Sequence, residues 1–307
     1  MDLEVLKTVV QLVSGALIGA CIGMTGIGGG VLLLPVLTLG FGLPSTVAVG
    51  TAHLYSCLCK LPAVFFHFRQ GTIRFRTSAY FMAGAVPVSV AVALWITGYA
   101  GGMDPADPAW RELQTNLRQF IAAVVMLSGL LILWHMFMRP GSRAVTGEAD
   151  QASEAVQVTQ AGQAVQAGQA DQAGQAVQAD QRVSARVTGA KIVLAVALGA
   201  VIGGLIASTS VGSGILIVPL MIIIFRLTAV DTVGSSIFIA LSLTFTSSII
   251  YAGSSQLDLA IAVTMAAGSL VGVPMGVRMS RRIPERYLQI TITGLVLVAG
   301  GVMLFGG

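Results

Sequence analysis

GALIGACIGMTGIGGGVLLLPVLTLGFGLPSTVAVGT at residues 15–51 and GAVIGGLIASTSVGSGILIVPLMIIIFRLTAVDTVGS at residues 199–235 are two copies of one segment. They align without a gap at an offset of 184 residues, the step from Gly19 to Gly203. About a third of the aligned positions are identical, among them Thr25/Thr209, Gly28/Gly212, Gly30/Gly214 and Pro35/Pro219. Each copy is apolar except for a glycine-rich interruption at the same place. An internal duplication with matching interruptions is how many membrane carriers build a ligand site from two broken helices.

Composition points the same way. Of the 307 residues, 55% are hydrophobic and only 10% charged, and the mean hydropathy of +0.86 is far above that of a water-soluble domain. Apolar runs fall near 5–24, 31–43, 47–68, 77–99, 117–138, 190–207, 214–226, 231–252, 259–277 and 288–305. Most approach the roughly 20 residues that a spanning helix needs. The second and seventh are too short. The expected fold is therefore an all-α integral membrane protein with 8 to 10 membrane segments, in two repeats. Each repeat opens with a broken or re-entrant helical hairpin and continues with three transmembrane helices.

Residues 140–187 differ in kind. The stretch QAVQAGQADQAGQAVQAD is low-complexity, with almost no large apolar side chain to offset the entropy of ordering. The spacing divides the chain into a first repeat at 1–139, a linker at 140–187 and a second repeat at 188–307. At the N-terminus, Ile18-Gly19-Ala20-Cys21 loosely follows a lipoprotein cleavage box, but Asp2 and Glu4 spoil the basic leader that such a signal requires.

Charge sets the expected orientation. Arg69, Arg74 and Arg76 crowd one short loop, Arg139, Arg143, Arg182, Arg186 and Lys191 flank the linker, and Arg278, Arg281, Arg282 and Arg286 fill another loop. By the positive-inside rule all three, linker included, are cytoplasmic. The loops at 100–116 and 253–258, with Asp104, Asp107, Glu112 and Asp258, belong outside. Loop 69–76 is thus basic while its equivalent at 253–260 has no basic residue. The repeats are therefore expected to be inverted, with their pseudo-twofold axis in the membrane plane. Topology accounts for the net charge of +4 without a nucleic-acid partner.

The chain resembles the TauE/SafE family of sulfite and organosulfonate exporters, also grouped as toluene-sulfonate uptake permeases. The resemblance is carried by Gly23 and Gly26–Pro35, by Ala48-Val49-Gly50-Thr51, by His67-Phe68-Arg69-Gln70-Gly71, and by the second copy of the glycine segment. It implies a multi-pass carrier of small, often sulfur-containing anions in a bacterial-type plasma membrane; with no H-E-x-x-H, G-x-S-x-G or Walker pattern in the sequence, no enzymatic activity and no cofactor are expected. An anion channel or the membrane subunit of a larger assembly is the competing reading, and a homodimer is left open. The second copy departs from the pattern, with Ser210 and Ser213 in place of Gly26 and Gly29.

Candidate substrate-binding residues follow from the breaks. Backbone freed by Gly28, Gly29 and Gly30, and by Gly212, Ser213 and Gly214, is tolerated at membrane depth only where it faces protein or a wet cavity. The helices restarting near Val31 and Ile215 would aim N–H groups and positive dipole ends at that cavity, which suits an anion. The competing reading is that the glycines merely allow close packing, as Gly15/Gly19/Gly23, Gly199/Gly203 and Gly268/Gly272/Gly276 would. Thr25, Thr209, Ser210, Ser213, Ser235 and Ser236 offer hydroxyls, unless these bond back to their own helix carbonyls. His53, Cys57 and Lys60 share one helical face. Lys60 is the basic residue deepest inside a span, serving either as counter-charge or as a side chain snorkelling to the interface. Mid-membrane carboxylates are lacking, and Cys21, Cys57 and Cys59 make neither a C-x-x-C pair nor, with the histidines, a metal-ligand spacing.

Overall fold

The computed structural model describes residues 3–25, 30–104, 106–138, 189–211, 213–225, 227, 229–280 and 285–305. The proposed linker at 140–187 lies outside the described residues, as do Gly28, Gly29 and Gly212. The first half comprises α1 (Leu3–Thr25), α2 (Gly30–Pro35, continued by a π-helical turn Val36–Gly40), α3 (Ser45–Arg69), α4 (Phe75–Gly101) and α5 (Pro108–Met138). The second half repeats the order with α6 (Gly189–Thr209), α7 (Ser213–Phe225), α8 (Ala229–Gly253), α9 (Leu259–Ser280) and α10 (Glu285–Phe305).

Each apolar run becomes one helix, and among the described residues six of these helices are long and apolar enough to cross a membrane. The protein is an all-α membrane protein. In each half the first helix is full-length, while the second is only half-length, Gly30–Gly40 or the segment ending at Phe225. Pro35 explains part of the shortening: lacking an N–H, it cannot extend the α ladder, and from Val36 the chain widens into the π turn. The Phe41 amide then donates to Val36 and the chain turns through Gly42 at φ +66°. α5 begins nine residues before its apolar run, because Asp107 accepts the Ala109 amide at 2.9 Å and caps the helix inside a loop expected to reach 116.

Two helix pairs form the tightest seams, α1 with α9 and α4 with α6. Gly15 and Gly19 back onto the Met265 carbonyl and Ser269, and Gly199 and Gly203 back onto the Phe81 and Ala85 carbonyls. These two sets of partners are each related by the same 184-residue offset. Contacts advance together along each pair, so the helices of a pair run parallel. α3 and α8 run antiparallel instead: Gly50 meets Tyr251 and the Gln256 carbonyl, while His67 and Thr72 meet Gly234. The outward faces, including Leu17, Trp95, Val201 and Val271, are apolar and exposed, as suits contact with lipid.

Candidate functional site

The two breaks abut. Gly30, at the start of α2, lies so close to the Ser210 carbonyl and Val211 Cα that a Cβ at position 30 would collide with backbone. Val31, Ala48, Val49, Ala52, Val211 and Tyr251 close around this junction in one buried cluster. The residues from the first repeat thus meet the C-terminal end of α6, from the second.

α6 ends at Thr209, whose hydroxyl bonds back to the Leu205 carbonyl at 2.6 Å and accepts the Val211 amide at 3.2 Å. Ser210 then takes φ +53°, a left-handed conformation that costs a non-glycine residue roughly 1–2 kcal/mol. Its counterpart in the first repeat is Gly26, the residue type that adopts such angles freely. The Ser210 side chain is buried and its Oγ has no hydrogen-bond partner among the described residues. A strained, buried, unsatisfied hydroxyl at a helix break is a combination that structural packing alone rarely keeps.

His53 reaches the same helix end from α3. Its Nε2 lies 3.1 Å from the Ala207 carbonyl, and the Tyr251 hydroxyl donates to that carbonyl at 3.1 Å from α8. A carbonyl can only accept, so Nε2 carries the hydrogen and Nδ1 is left bare. Nδ1 is buried without a partner among the described residues. The ring also lies against Tyr251, with centroids 5.7 Å apart. Ala207 is one of the last carbonyls of α6, which have no partner within the helix, and two side chains from other helices satisfy it.

The remaining predicted residues lie elsewhere on the helices. Thr25 is the final residue of α1, and Ser213 and Gly214 form the first turn of α7. Lys60 is half-buried, two helical turns beyond His53 on α3. Ser236 bonds back to the Val233 carbonyl at 2.9 Å, whereas Ser235 accepts the backbone amide of Arg74 at 2.9 Å. No group of three or more His, Cys, Asp or Glu side chains that could hold a metal occurs among the described residues.

Sequence reasoning missed three contributors. Tyr251 and the Ala207 carbonyl carry no motif, and their role exists only through the packing of α3 and α8 on α6. The third is the bond between Arg74 and Asp231, two residues that the sequence marks only as a loop charge and a span border. Repeat alignment offered one available signal: Tyr251 is the counterpart of His67, so both repeats put a polar ring at this position.

The profile of the family described as sulfite exporter TauE/SafE matches residues 11–303, nearly the whole chain. The chain belongs to the TauE/SafE family. Membership in TauE/SafE makes it a membrane transporter rather than an enzyme. Among curated relatives, the Bacillus subtilis (strain 168) protein named "Probable membrane transporter protein YjnA" is 27% identical over 290 residues, covering 94% of this chain and 96% of the relative. A second protein of that organism, "Probable membrane transporter protein YdhB", is 23% identical over 289 residues, with 94% and 97% covered. No solved structure matches.

Proposed function

We propose that this TauE/SafE protein is a secondary transporter of small oxyanions, sulfite or organosulfonates, working by alternating access around the junction of the two glycine-rich breaks. The observation that carries the reading is the contact of Gly30 with the Ser210 carbonyl, which joins the two interrupted segments in one buried place. Substrate-binding groups would be Thr25, Gly28, Gly29, Gly30, His53 and Lys60 from the first repeat and Thr209, Ser210, Gly212, Ser213 and Gly214 from the second. Backbone amides and hydroxyls suit sulfonate oxygens, because each donates a hydrogen bond.

The seams support an inverted relation between the repeats. α1 runs parallel to α9, α4 parallel to α6, and α3 antiparallel to α8; with short connections reversing direction between α3 and α4 and between α8 and α9, α1 and its counterpart α6 run oppositely. Exchange of two inverted halves around a shared site is the geometry by which alternating access is achieved in other duplicated carriers. A bacterial-type inner membrane, with the basic loops and the linker cytoplasmic, follows from the charge pattern.

Uptake of labelled sulfite or methanesulfonate into proteoliposomes tests the reading. The parent should show saturable flux and Gly30→Leu none, because the added side chain drives into the Ser210 carbonyl and covers the amides; membrane insertion and melting of the variant, measured alongside, separate a blocked site from a lost fold. Flux that rises linearly with concentration instead would mark a channel. Full transport by Gly30→Leu would reduce the junction to a packing contact.

A further inference from the structure

One carbonyl fixes the state of His53. Since Ala207 O accepts from both Tyr251 and His53 Nε2, Nε2 carries a hydrogen, and Nδ1, which holds the free lone pair of the neutral ring, is buried and unpartnered among the described residues. Ser210 Oγ, three residues beyond Ala207, is buried and unpartnered as well. Two unsatisfied polar atoms flank one helix end, and that end contains the backbone against which Gly30 packs.

We propose that His53 takes up a proton at Nδ1 together with the anion and releases both together, making this protein a proton-coupled carrier. The inference rests on the transport reading above and assigns its coupling ion. A proton on Nδ1 turns a bare acceptor into a donor and the ring into a cation. The new donor needs an acceptor, which a bound oxyanion supplies, while the Nε2–H bond to Ala207 is kept. The C-terminal end of α6, carrying partial negative charge, favours the imidazolium from the other side. Proton and anion therefore each raise the affinity for the other, by the same factor.

The surroundings leave His53 as the group suited to this task. On its own helix the titratable neighbours are Cys57 and Lys60, and α8 contributes Tyr251. The parts of α2 and α6 beside it bring none. The charged residues described on α4, α5 and α9 are Arg76, Arg111, Glu112, Arg118 and Arg278, none hydrogen-bonded to His53. Asp231 is bound to Arg74, and Asp258 precedes α9. In the second repeat the place of His53 is taken by Ile237, so the chain has one such site and moves one proton per cycle.

Methanesulfonate is the suitable probe, since it does not titrate near neutral pH and any proton movement belongs to the protein. In proteoliposomes loaded with a pH-sensitive dye, the parent should move about one proton with each methanesulfonate, and an imposed pH gradient should drive accumulation. His53→Gln can still donate to Ala207 but cannot titrate; it should bind methanesulfonate more weakly, and the flux measured at saturating methanesulfonate should move no protons and become sensitive to membrane potential. Flux without protons in the parent, or coupling intact in His53→Gln, would overturn the proposal while leaving the carrier reading standing. No flux of methanesulfonate or sulfite in the parent would overturn both. A double variant, His67→Gln with His135→Gln, leaves His53 as the lone histidine of three. Coupling must persist in it, and flux without coupling there would assign the proton elsewhere.

Discussion

Arg74 and Asp231 form a 2.9 Å ion pair, with side chains 9% and 14% exposed, at one end of the antiparallel pair α3 and α8. The opposite end is held by neutral side-chain bonds: Thr46 Oγ1 donates to Gln256 at 2.6 Å, and the Gln114 side chain donates to Thr46 at 3.1 Å. The backbone bonds at the two ends are nonetheless reciprocal. The Arg74 amide donates to Ser235 at 2.9 Å, and the amide of its counterpart Asp258 donates to Thr51, the counterpart of Ser235, at 3.0 Å. The halves thus clasp each other with the same backbone bonds at both ends, but among the described residues only one clasp is reinforced by an ion pair.

If the ends open alternately, the charged clasp is the harder to part. Asp231→Asn leaves the buried Arg74 guanidinium without its carboxylate, a loss of about 3–5 kcal/mol in comparable buried pairs. The Asn variant should populate the state open at the Arg74 end, seen as faster labelling of a cysteine introduced at Gln70. Exchanging the two charges, Arg74→Asp with Asp231→Arg, should return part of the lost protection. Equal labelling rates in the parent and Asp231→Asn would remove the ion pair from any gating role.

Ser210 separates strain from chemistry. Ser210→Gly relieves the left-handed backbone at φ +53° and should melt at or slightly above the parent. Ser210→Ala keeps the strain. Both lose the hydroxyl, and with it a hydrogen bond of about 1 kcal/mol to a bound anion, or roughly fivefold in affinity. Binding titrations with sulfite compare all three; parent affinity in both variants would make Ser210 Oγ a bystander.

The equivalent loops lie at opposite ends of α3: residues 70–74 follow its C-terminus, while Gln256 and Asp258 bond to Thr46 and Thr51 near its N-terminus. A 25-residue helix is about 37 Å long, enough to separate the two faces of a bilayer. Cysteines introduced at Gln70 and Ser254 should therefore react with an impermeant reagent from opposite sides. Reaction of both from one side would refute the inverted arrangement.

How much of this was legible beforehand depends on whether local or long-range contacts decide it. Helix positions follow from apolar run length and from Gly and Pro punctuation, so the half-length α2 and α7 are readable from residues 31–43 and 214–226 alone. The 184-residue offset similarly marks Gly50 and Gly234 as equivalent. What no local pattern contains is which helices touch. His53 can be read as a polar residue on a helical face, but its tautomer is set by a carbonyl 154 positions away. Arg74 can be read as a topology signal, but its partner is 157 positions away. The left-handed Ser210 likewise has no local signal, since a serine carries no preference for such an angle.

Lys60 gives the last prediction. It stands seven residues beyond His53 on α3, about 10 Å along the helix axis. An anion in a buried junction has left its hydration behind, and each helix end offers only about half a charge. One full charge at about 10 Å, through an effective dielectric of about 20, is worth roughly 1.5 kcal/mol, or about tenfold in affinity. Lys60→Met keeps the apolar stem and deletes the charge, so it should weaken sulfite and methanesulfonate binding by about that factor, whereas Lys60→Arg keeps most of the affinity. Because Lys60 is half-buried, the loss should be less sensitive to salt than that of a surface charge. A Lys60→Met protein that binds both anions like the parent would mean that the lysine serves the interface, and that the junction holds its anion with amides, hydroxyls and the His53 proton alone.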